Sequence, residues 1–272
     1  MENIVVIHGG AGSPSSLNSV LKEILSNIIY NGTALDMAIK PVVAMENNSI
    51  FNAGTGSVPR IDGSIQMDAA VMIENGFGSV ICIENVSNPV LVARDVMEKS
   101  PHIMISGDGA TEFARKMGHE YYNPETEKSK NMMIKFKESL KNNTIPEKFQ
   151  FMFKSSEDTV GAVSRINGKF AAAVSTGGSF PMLRGRVGDS PVIGAGIFAG
   201  NKGAVVATGI GEEIAKSLLS YRIYEAIGTE KLSDIVKKEV NKFKVSAGII
   251  AISEEEQFAY SNTDMAYSMQ QY

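Results

Sequence analysis

Thr159 stands where a polar, lysine-dotted stretch gives way abruptly to alternating small and apolar residues, Asp158-Thr159-Val160-Gly161-Ala162-Val163, the way a buried strand begins. A hydroxyl at a strand start is in most chains only a packing choice. Here three glycine-rich turns follow, each carrying reactive groups at the end of an apolar run: Ser175-Thr176-Gly177-Gly178, Gly185-Arg186-Val187-Gly188-Asp189-Ser190-Pro191 and Ala207-Thr208-Gly209-Ile210-Gly211-Glu212. A guanidinium fork matches a carboxylate and an aspartate matches an ammonium. Arg186 and Asp189 would therefore select a zwitterionic amino-acid head, or else form a surface ion pair contributing about 0–1 kcal/mol. His8, among the glycines of Ile4-Val5-Val6-Ile7-His8-Gly9-Gly10-Ala11-Gly12, is a candidate base, and its plainer role is to satisfy backbone groups near the first strand.

Composition narrows the partners. With 26 basic and 30 acidic residues the net charge is −4, so there is no basic footprint for a nucleic acid. At 272 residues the chain can bury a substantial core in one domain. The single cysteine, Cys82, lies in an apolar run, which excludes an intrachain disulfide and suits a buried small hydrophobe. The apolar stretch Ile4 to Ile7 is too short for a signal sequence or a membrane span, and a cytosolic protein without membrane contact is expected.

The elements that must position these groups can be read in order. Ser13 or Ser15 with Pro14 begins a helix whose apolar face is Leu17, Val20, Leu21, Ile24, Leu25 and Ile28, ended by Gly32. Thr33 and Asp36 form a capping box for a helix running toward Met45 despite Pro41. Asp62-Gly63, Asn75-Gly76 and Asn167-Gly168 are two-residue hairpin signals, with longer hairpin loops at Asn201-Lys202-Gly203 and Glu254-Glu255-Glu256. The sheets should be antiparallel meanders without βαβ crossovers. Further helices are expected at 89–99 with Asn88 as cap, and at 108–117, 211–227 and 230–243. From about 120 to 157 the pattern decays into a mobile surface linker with a helical piece, Met132 to Leu140, leaving an accessible side just before Thr159. Strands apolar on both faces need cover on both sides.

Taken together and in this order, the motifs resemble the plant-type asparaginase and isoaspartyl peptidase family, threonine N-terminal nucleophile hydrolases. The resemblance includes Phe51-Asn52-Ala53-Gly54-Thr55-Gly56-Ser57-Val58 and Met67-Asp68-Ala69-Ala70 and covers nearly the whole chain. It implies a single α/β (α+β) domain, 1–272, built as a four-layer αββα sandwich with two mainly antiparallel sheets. It implies autocatalytic cleavage between Asp158 and Thr159 into 1–158 and 159–272. The new α-amine, with a pKa of roughly 7.7–8.0, would serve as general base to the Thr159 hydroxyl. Thr176 would orient that hydroxyl, Thr208 and Gly209 would form the oxyanion hole, and Arg186 and Asp189 would hold the substrate's α-carboxylate and α-ammonium. Asn52 would help orient substrate. Main-chain carbonyls of Met45, Glu46, Asn48, Phe51, Ala53 and Thr55 would hold a sodium ion. No other cofactor is implied, and cleaved protomers would pair as dimers.

The implied reaction is hydrolysis of the side-chain amide of asparagine or of β-aspartyl dipeptides. One residue departs from the asparaginase pattern: Asp158 stands where glycine usually precedes the nucleophile, which looks like the aspartylglucosaminidase branch. Two readings from another class remain, a non-catalytic protein of this fold and a nucleotide-binding protein using Gly209-Ile210-Gly211. The second lacks a third glycine at the required offset and has Glu212 and Glu213 where phosphate would approach.

Overall fold

The alternation of apolar residues along both faces of each strand is resolved by stacking two sheets between helices. The computed structural model describes residues 2–141 and 159–272. Its strands are β1 (Ile4–Ala11), β2 (Met67–Ile73), β3 (Gly76–Ile83), β4 (Met104–Ser106), β5 (Val160–Ile166), β6 (Lys169–Thr176), β7 (Ile197–Gly200), β8 (Gly203–Gly209), β9 (Ala247–Ser253), β10 (Gln257–Ser261) and β11 (Met265–Gln271). Its α-helices are α1 (Asn18–Asn27), α2 (Ala34–Glu46), α3 (Pro89–Lys99), α4 (Gly107–Lys116), α5 (Glu127–Lys141), α6 (Gly211–Ser217), α7 (Leu219–Ala226) and α8 (Leu232–Val240).

One sheet has seven strands in the order β11-β1-β5-β6-β2-β3-β4, and the other has four in the order β10-β9-β8-β7. Because successive side chains point to opposite faces, each strand feeds two cores. Val5, Ile7, Ala69, Val71, Val160 and Ala162 pack under α1, α2 and α3. Ile4, Val6, Ala70, Met72, Val163 and Val174 meet Ile197, Ala204, Val206, Ile250 and Ile252 between the sheets. Val205, Ala207, Ile249 and Ala251 pack under α6, α7 and α8. The result is the expected four-layer sandwich.

Both asparagine–glycine pairs mark hairpins between adjacent strands. Ile166 pairs with Lys169 across Asn167 and Gly168, whose φ values of 51° and 73° are those of a primed two-residue turn. At Asn75-Gly76 the hairpin turns one residue earlier than expected: Ile73 pairs with Gly76, so Glu74 and Asn75 form the turn, neither at positive φ, and Gly76 begins β3. Asn201-Lys202 is shorter than a long loop, a two-residue turn between Gly200 and Gly203. Asp62-Gly63 turns the chain, with Gly63 N–H donating to Arg60 O at 2.9 Å, but no ladder flanks it. The amide of Ile61 is instead spent on Met182 O at 3.0 Å.

Other elements depart from the sequence reading for tertiary reasons. β3 and β4 are parallel, joined through α3, so one βαβ crossover does exist. The helix after β1 ends at Asn27, not at Gly32, and the chain leaves it so that Tyr30 stacks on Tyr272 with ring centroids 5.2 Å apart. Ser13 does not cap that helix: its hydroxyl donates to Gly10 O at 2.6 Å and accepts the Ala266 amide at 2.8 Å. Asn88 does not cap α3 with its side chain; the buried Glu46 carboxylate accepts the Val90 amide at 3.0 Å. The expected helix at 211–227 is broken at Leu218, with φ 51°, and the Ser220 and Tyr221 amides go to the carbonyls of Ala195 and Gly194. α5 is longer than the expected piece within 120–157, while residues 142–157 of that stretch, and Asp158 after it, lie outside the described residues. Among the described residues no helix is long and apolar enough to cross a membrane.

The capping box of α2 forms as read: Thr33 Oγ1 accepts the Asp36 amide at 3.2 Å and Asp36 Oδ2 accepts the Thr33 amide at 2.7 Å. Asp36 also pairs with Arg94 at 2.9 Å, tying α2 to α3. Thr33→Ala should therefore lower stability by about 1 kcal/mol, a fall in Tm of roughly 2–4 °C for a chain of this size, measured by thermal denaturation.

Candidate active site

The inter-sheet layer is apolar along most of its length and turns polar at one end. Val160 pairs with Ser175 and Asp68 pairs with Thr176, so Thr159, Thr176 and Asp68 come side by side on the face that looks toward the second sheet. His8 joins the same end opposite Gly161, and Thr208 ends β8 across the gap. Side chains that are 17 to 168 positions from Thr176 in sequence thus meet because three ladders stop in step. The Thr159 hydroxyl donates to Thr176 Oγ1 at 3.3 Å, and Thr176 Oγ1 also accepts the Gly178 amide at 2.9 Å. Both threonines are buried.

Asn52 holds the turn beside them. Its Nδ2 donates to Gly178 O at 2.6 Å, its Oδ1 accepts the Val58 amide at 3.0 Å, and its carbonyl accepts the Gly177 amide at 2.9 Å. A Cβ at Gly177 would overlap Asn52 Oδ1, so this contact needs the glycine. Asn52 supports the cleft from behind and does not line it.

The cleft is lined by Thr159, Thr176, Arg186, Asp189 and Gly209, with Ser190 and glycines around them, and it encloses only about 10 Å³, about the space of one water molecule. Gly209 has φ 136°, and a Cβ there would overlap the Ser246 carbonyl, so no other residue would leave its amide in place. Thr208 is buried with its hydroxyl accepting the Ala11 amide at 3.0 Å, which leaves the hydroxyl proton available to a ligand. Larger hollows exist, one of about 880 Å³ between the Asn201-Lys202 and Glu254–Glu256 turns, but it lies at the other ends of the strands and holds none of these groups.

Arg186 does not pair with Asp189. Its Nε and Nη2 donate to the two carboxylate oxygens of Glu212 at 2.9 and 2.8 Å, a two-pronged pair at the start of α6. The sequence reading gave Glu212 no part except as an obstacle to phosphate; the 26-residue separation carries no local signal of the pair. Asp189 is buried, and its Oδ2 has no hydrogen-bond partner among the described residues. Burial pushes its pKa up to about 7, against the opposing effects of its own backbone amide and the Arg186 charge. The site therefore holds a guanidinium already matched to a carboxylate and an unmatched carboxyl suited to a cation.

His8 has the plainer role. Its Nδ1 accepts the Gly10 amide at 3.1 Å, its Nε2 has no hydrogen-bond partner among the described residues, and burial pushes its pKa down to about 3 despite the opposing Thr159 backbone. A Cβ at Gly161 would sit 2.6 Å from His8 Nε2, so the imidazole fills the space that the glycine leaves.

In the stretch expected to hold sodium, the carbonyls of Met45, Asn48 and Ala53 already accept the amides of Asn48, Phe51 and Gly56, each at 3.1 Å. Those of Glu46, Phe51 and Thr55 accept no amide among the described residues. The Glu46 and Phe51 carbonyls crowd against Gly54 and Gly56, where a Cβ would overlap them. This donor set fits a hard cation held by main chain; no cluster of metal-binding side chains occurs among the described residues.

Comparison with known proteins identifies the family. A family model described as asparaginase matches residues 1–271. The chain is 39% identical to a plant-type L-asparaginase of Pyrococcus abyssi over 233 residues, 79% of this chain and 76% of that protein. It is 37% identical to the isoaspartyl peptidase of Escherichia coli over 296 aligned positions, 97% of this chain and 91% of that one. It is also 35% identical to an N(4)-(β-N-acetylglucosaminyl)-L-asparaginase of Elizabethkingia miricola, covering 84% of this chain and 70% of that protein.

The His8 geometry has a measurable consequence. A buried imidazole that stays neutral down to about pH 3 is matched in the unfolded chain by one that protonates near 6.5. The unfolded state binds the extra proton, so stability falls as pH drops from about 6.5 toward 3, by up to about 1.4 kcal/mol per pH unit. In denaturant titrations across this window, His8→Gln should lack that slope whatever its own stability at neutral pH.

Proposed function

This chain belongs to the asparaginase family, and on that premise we propose that it is an amidohydrolase acting on L-asparagine and β-aspartyl dipeptides through an N-terminal Thr159. The observation that carries the reading is the buried Thr159–Thr176 hydroxyl pair at 3.3 Å, set in a cleft with Arg186, Asp189 and Gly209. The site explains why the chain would be cut ahead of Thr159. An internal threonine has a weakly nucleophilic hydroxyl and no base of its own, and His8, neutral and buried, does not supply one. Cleavage of the Asp158–Thr159 bond gives Thr159 an α-amine that titrates at roughly 7.7–8.0. Asp158 itself lies outside the described residues.

In the cleaved enzyme the amine takes the Thr159 hydroxyl proton as Oγ1 attacks the side-chain amide carbon of the substrate. Thr176 fixes the direction of that hydroxyl. The oxyanion is met by the free Thr208 proton and the Gly209 amide, where loss of one donor typically costs about 10²–10³ in rate. The protonated amine then passes its proton to the departing nitrogen, leaving an aspartyl ester on Thr159. Water, activated by the same amine, hydrolyses the ester and releases aspartate.

Recognition follows from the two charged groups. The substrate's α-carboxylate displaces the Glu212 carboxylate from Arg186, exchanging one two-pronged pair for another. The α-ammonium meets Asp189, whose half-neutral carboxyl becomes fully ionised against it. A sodium ion among the carbonyls of Glu46, Phe51 and Thr55 would brace the loop that carries Asn52, and through it the Gly177-Gly178 turn. Asp158 before the nucleophile favours a second reading, hydrolysis of glycosylated asparagine, for which the large sugar must leave through the mouth of this small cleft. We place the enzyme in the cytoplasm as a dimer of cleaved protomers, by its resemblance to the family.

Two experiments test the reading. Intact mass and N-terminal sequencing of protein incubated at working temperature should find fragments 1–158 and 159–272 held together, with ammonia released from asparagine only after the cut. Thr159→Ala should fold, remain one chain and release none; activity in that variant would refute the assignment. Arg186→Lys keeps the charge but loses the fork, so KM for asparagine should rise by about 10-fold or more. Self-cleavage should continue, because the chain's own scissile bond carries no α-carboxylate. A normal KM would remove Arg186 from the site.

A further inference from the structure

We propose that Asp68 is a positioning residue for the substrate clamp, holding Arg186 where an incoming α-carboxylate must find it. This rests on the reading of Arg186 given above. Asp68 is 1% exposed and sits opposite Thr176 in the β2–β6 ladder, at the polar end of the inter-sheet layer. A carboxylate in that place is costly unless something there needs it. Its Oδ1 accepts the Cys82 amide at 2.7 Å, and its Oδ2 has no hydrogen-bond partner among the described residues. Facing it are the Arg60 and Arg186 guanidinium charges and the Gly188 amide, all of which favour its ionised form against burial.

Two routes lead from Asp68 to the clamp. The first is direct: its charge acts on the Arg186 guanidinium together with that of Glu212, so the guanidinium keeps a buried counter-charge when Glu212 is displaced. The second runs through Cys82. That residue has φ 52°, a backbone conformation few non-glycine residues adopt, at an irregularity in the β2–β3 pairing between Met67 and Ala69. The hydrogen bond to Asp68 holds it there, and from there Cys82 Sγ reaches the Arg186 carbonyl at 3.7 Å. The same scaffold grips the loop on either side: Gln66 Oε1 accepts the Gly185 amide at 2.7 Å, and Ser79 Oγ donates to Pro191 O at 2.9 Å. Those contacts fix the backbone of the loop; Asp68 alone among them also faces the guanidinium.

The test compares cleaved wild type with Asp68→Asn, which keeps an oxygen for the Cys82 amide but removes the charge. Self-cleavage should be retained, KM for asparagine and the inhibition constant of aspartate should both rise by about 10-fold or more, and kcat should change much less. An unchanged KM would overturn the proposal, as would a fall in kcat at constant KM, which would place the action of Asp68 on Thr176. If Asp68→Asn does not fold, Cys82→Ala carries the test through the second route: KM should rise by about threefold with Tm retained, and an unchanged KM would overturn the proposal. Wild type that hydrolyses neither asparagine nor a β-aspartyl dipeptide would bring down the functional reading and this one together. Wild-type activity with an unmoved KM in both variants brings down only this one.

Discussion

The register of one hairpin governs the chemistry. β5 and β6 are joined by Asn167-Gly168, whose positive φ angles commit the pair to Ile166 opposite Lys169, and every later pair follows from that one. Six pairs further on, Val160 meets Ser175, and Thr159 reaches Thr176. Because the side-chain period of a strand is two, a slip by one residue would turn Thr159 into the helix layer and bring an apolar residue to the cleft. Such a slip is resisted by both cores at once, since β5 would exchange Val163 for Val160 and Ala162 between the sheets. A turn at one end of the sandwich thus sets the geometry at the other.

The polar end of the inter-sheet layer is a concentrated electrostatic cost. Asp68, Asp189 and His8 are each buried with an atom that finds no hydrogen bond among the described residues. Such groups destabilise a fold, by about 1–3 kcal/mol each where the donor or acceptor is left unmet. They are tolerated because the rest of the sandwich is continuous hydrocarbon, and because ligand atoms can satisfy them. The Arg186–Glu212 pair is the opposite case, a charge already satisfied that must be released before it can bind anything else.

What was legible in the sequence was local chemistry. The asparagine–glycine turns, the Thr33–Asp36 box and the two-faced apolar strands each carry their signal within a few residues, and together they give the layered fold. The order of the glycine-rich motifs gave the threonines, Arg186, Asp189 and Gly209, which the fold does bring together, while Asn52 and Thr208 stand just outside the cleft lining. What was not legible depends on partners distant in sequence. Glu212 meets Arg186 across 26 residues, Cys82 meets the Arg186 carbonyl across 104, and Glu46 replaces Asn88 as the cap of α3 across 44. The early end of α1 and the break at Leu218 are also tertiary in origin, since each frees backbone or side chain for a contact that periodicity does not encode.

The order of strands in the larger sheet has a further consequence. Read across, β11-β1-β5-β6-β2-β3-β4, it alternates between the segments before and after Thr159, so the β11–β1, β1–β5 and β6–β2 ladders all join residues before Thr159 to residues after it. Neither segment can form this sheet by itself. In the uncut chain folding is a first-order event; once cut ahead of Thr159, as proposed, the two segments would regain the same sheet only by meeting as two molecules. The proposed cleavage would therefore write a history into the protein: the cut form would be the product of a folding reaction that its own pieces could repeat only as a second-order association, at a rate set by their concentration.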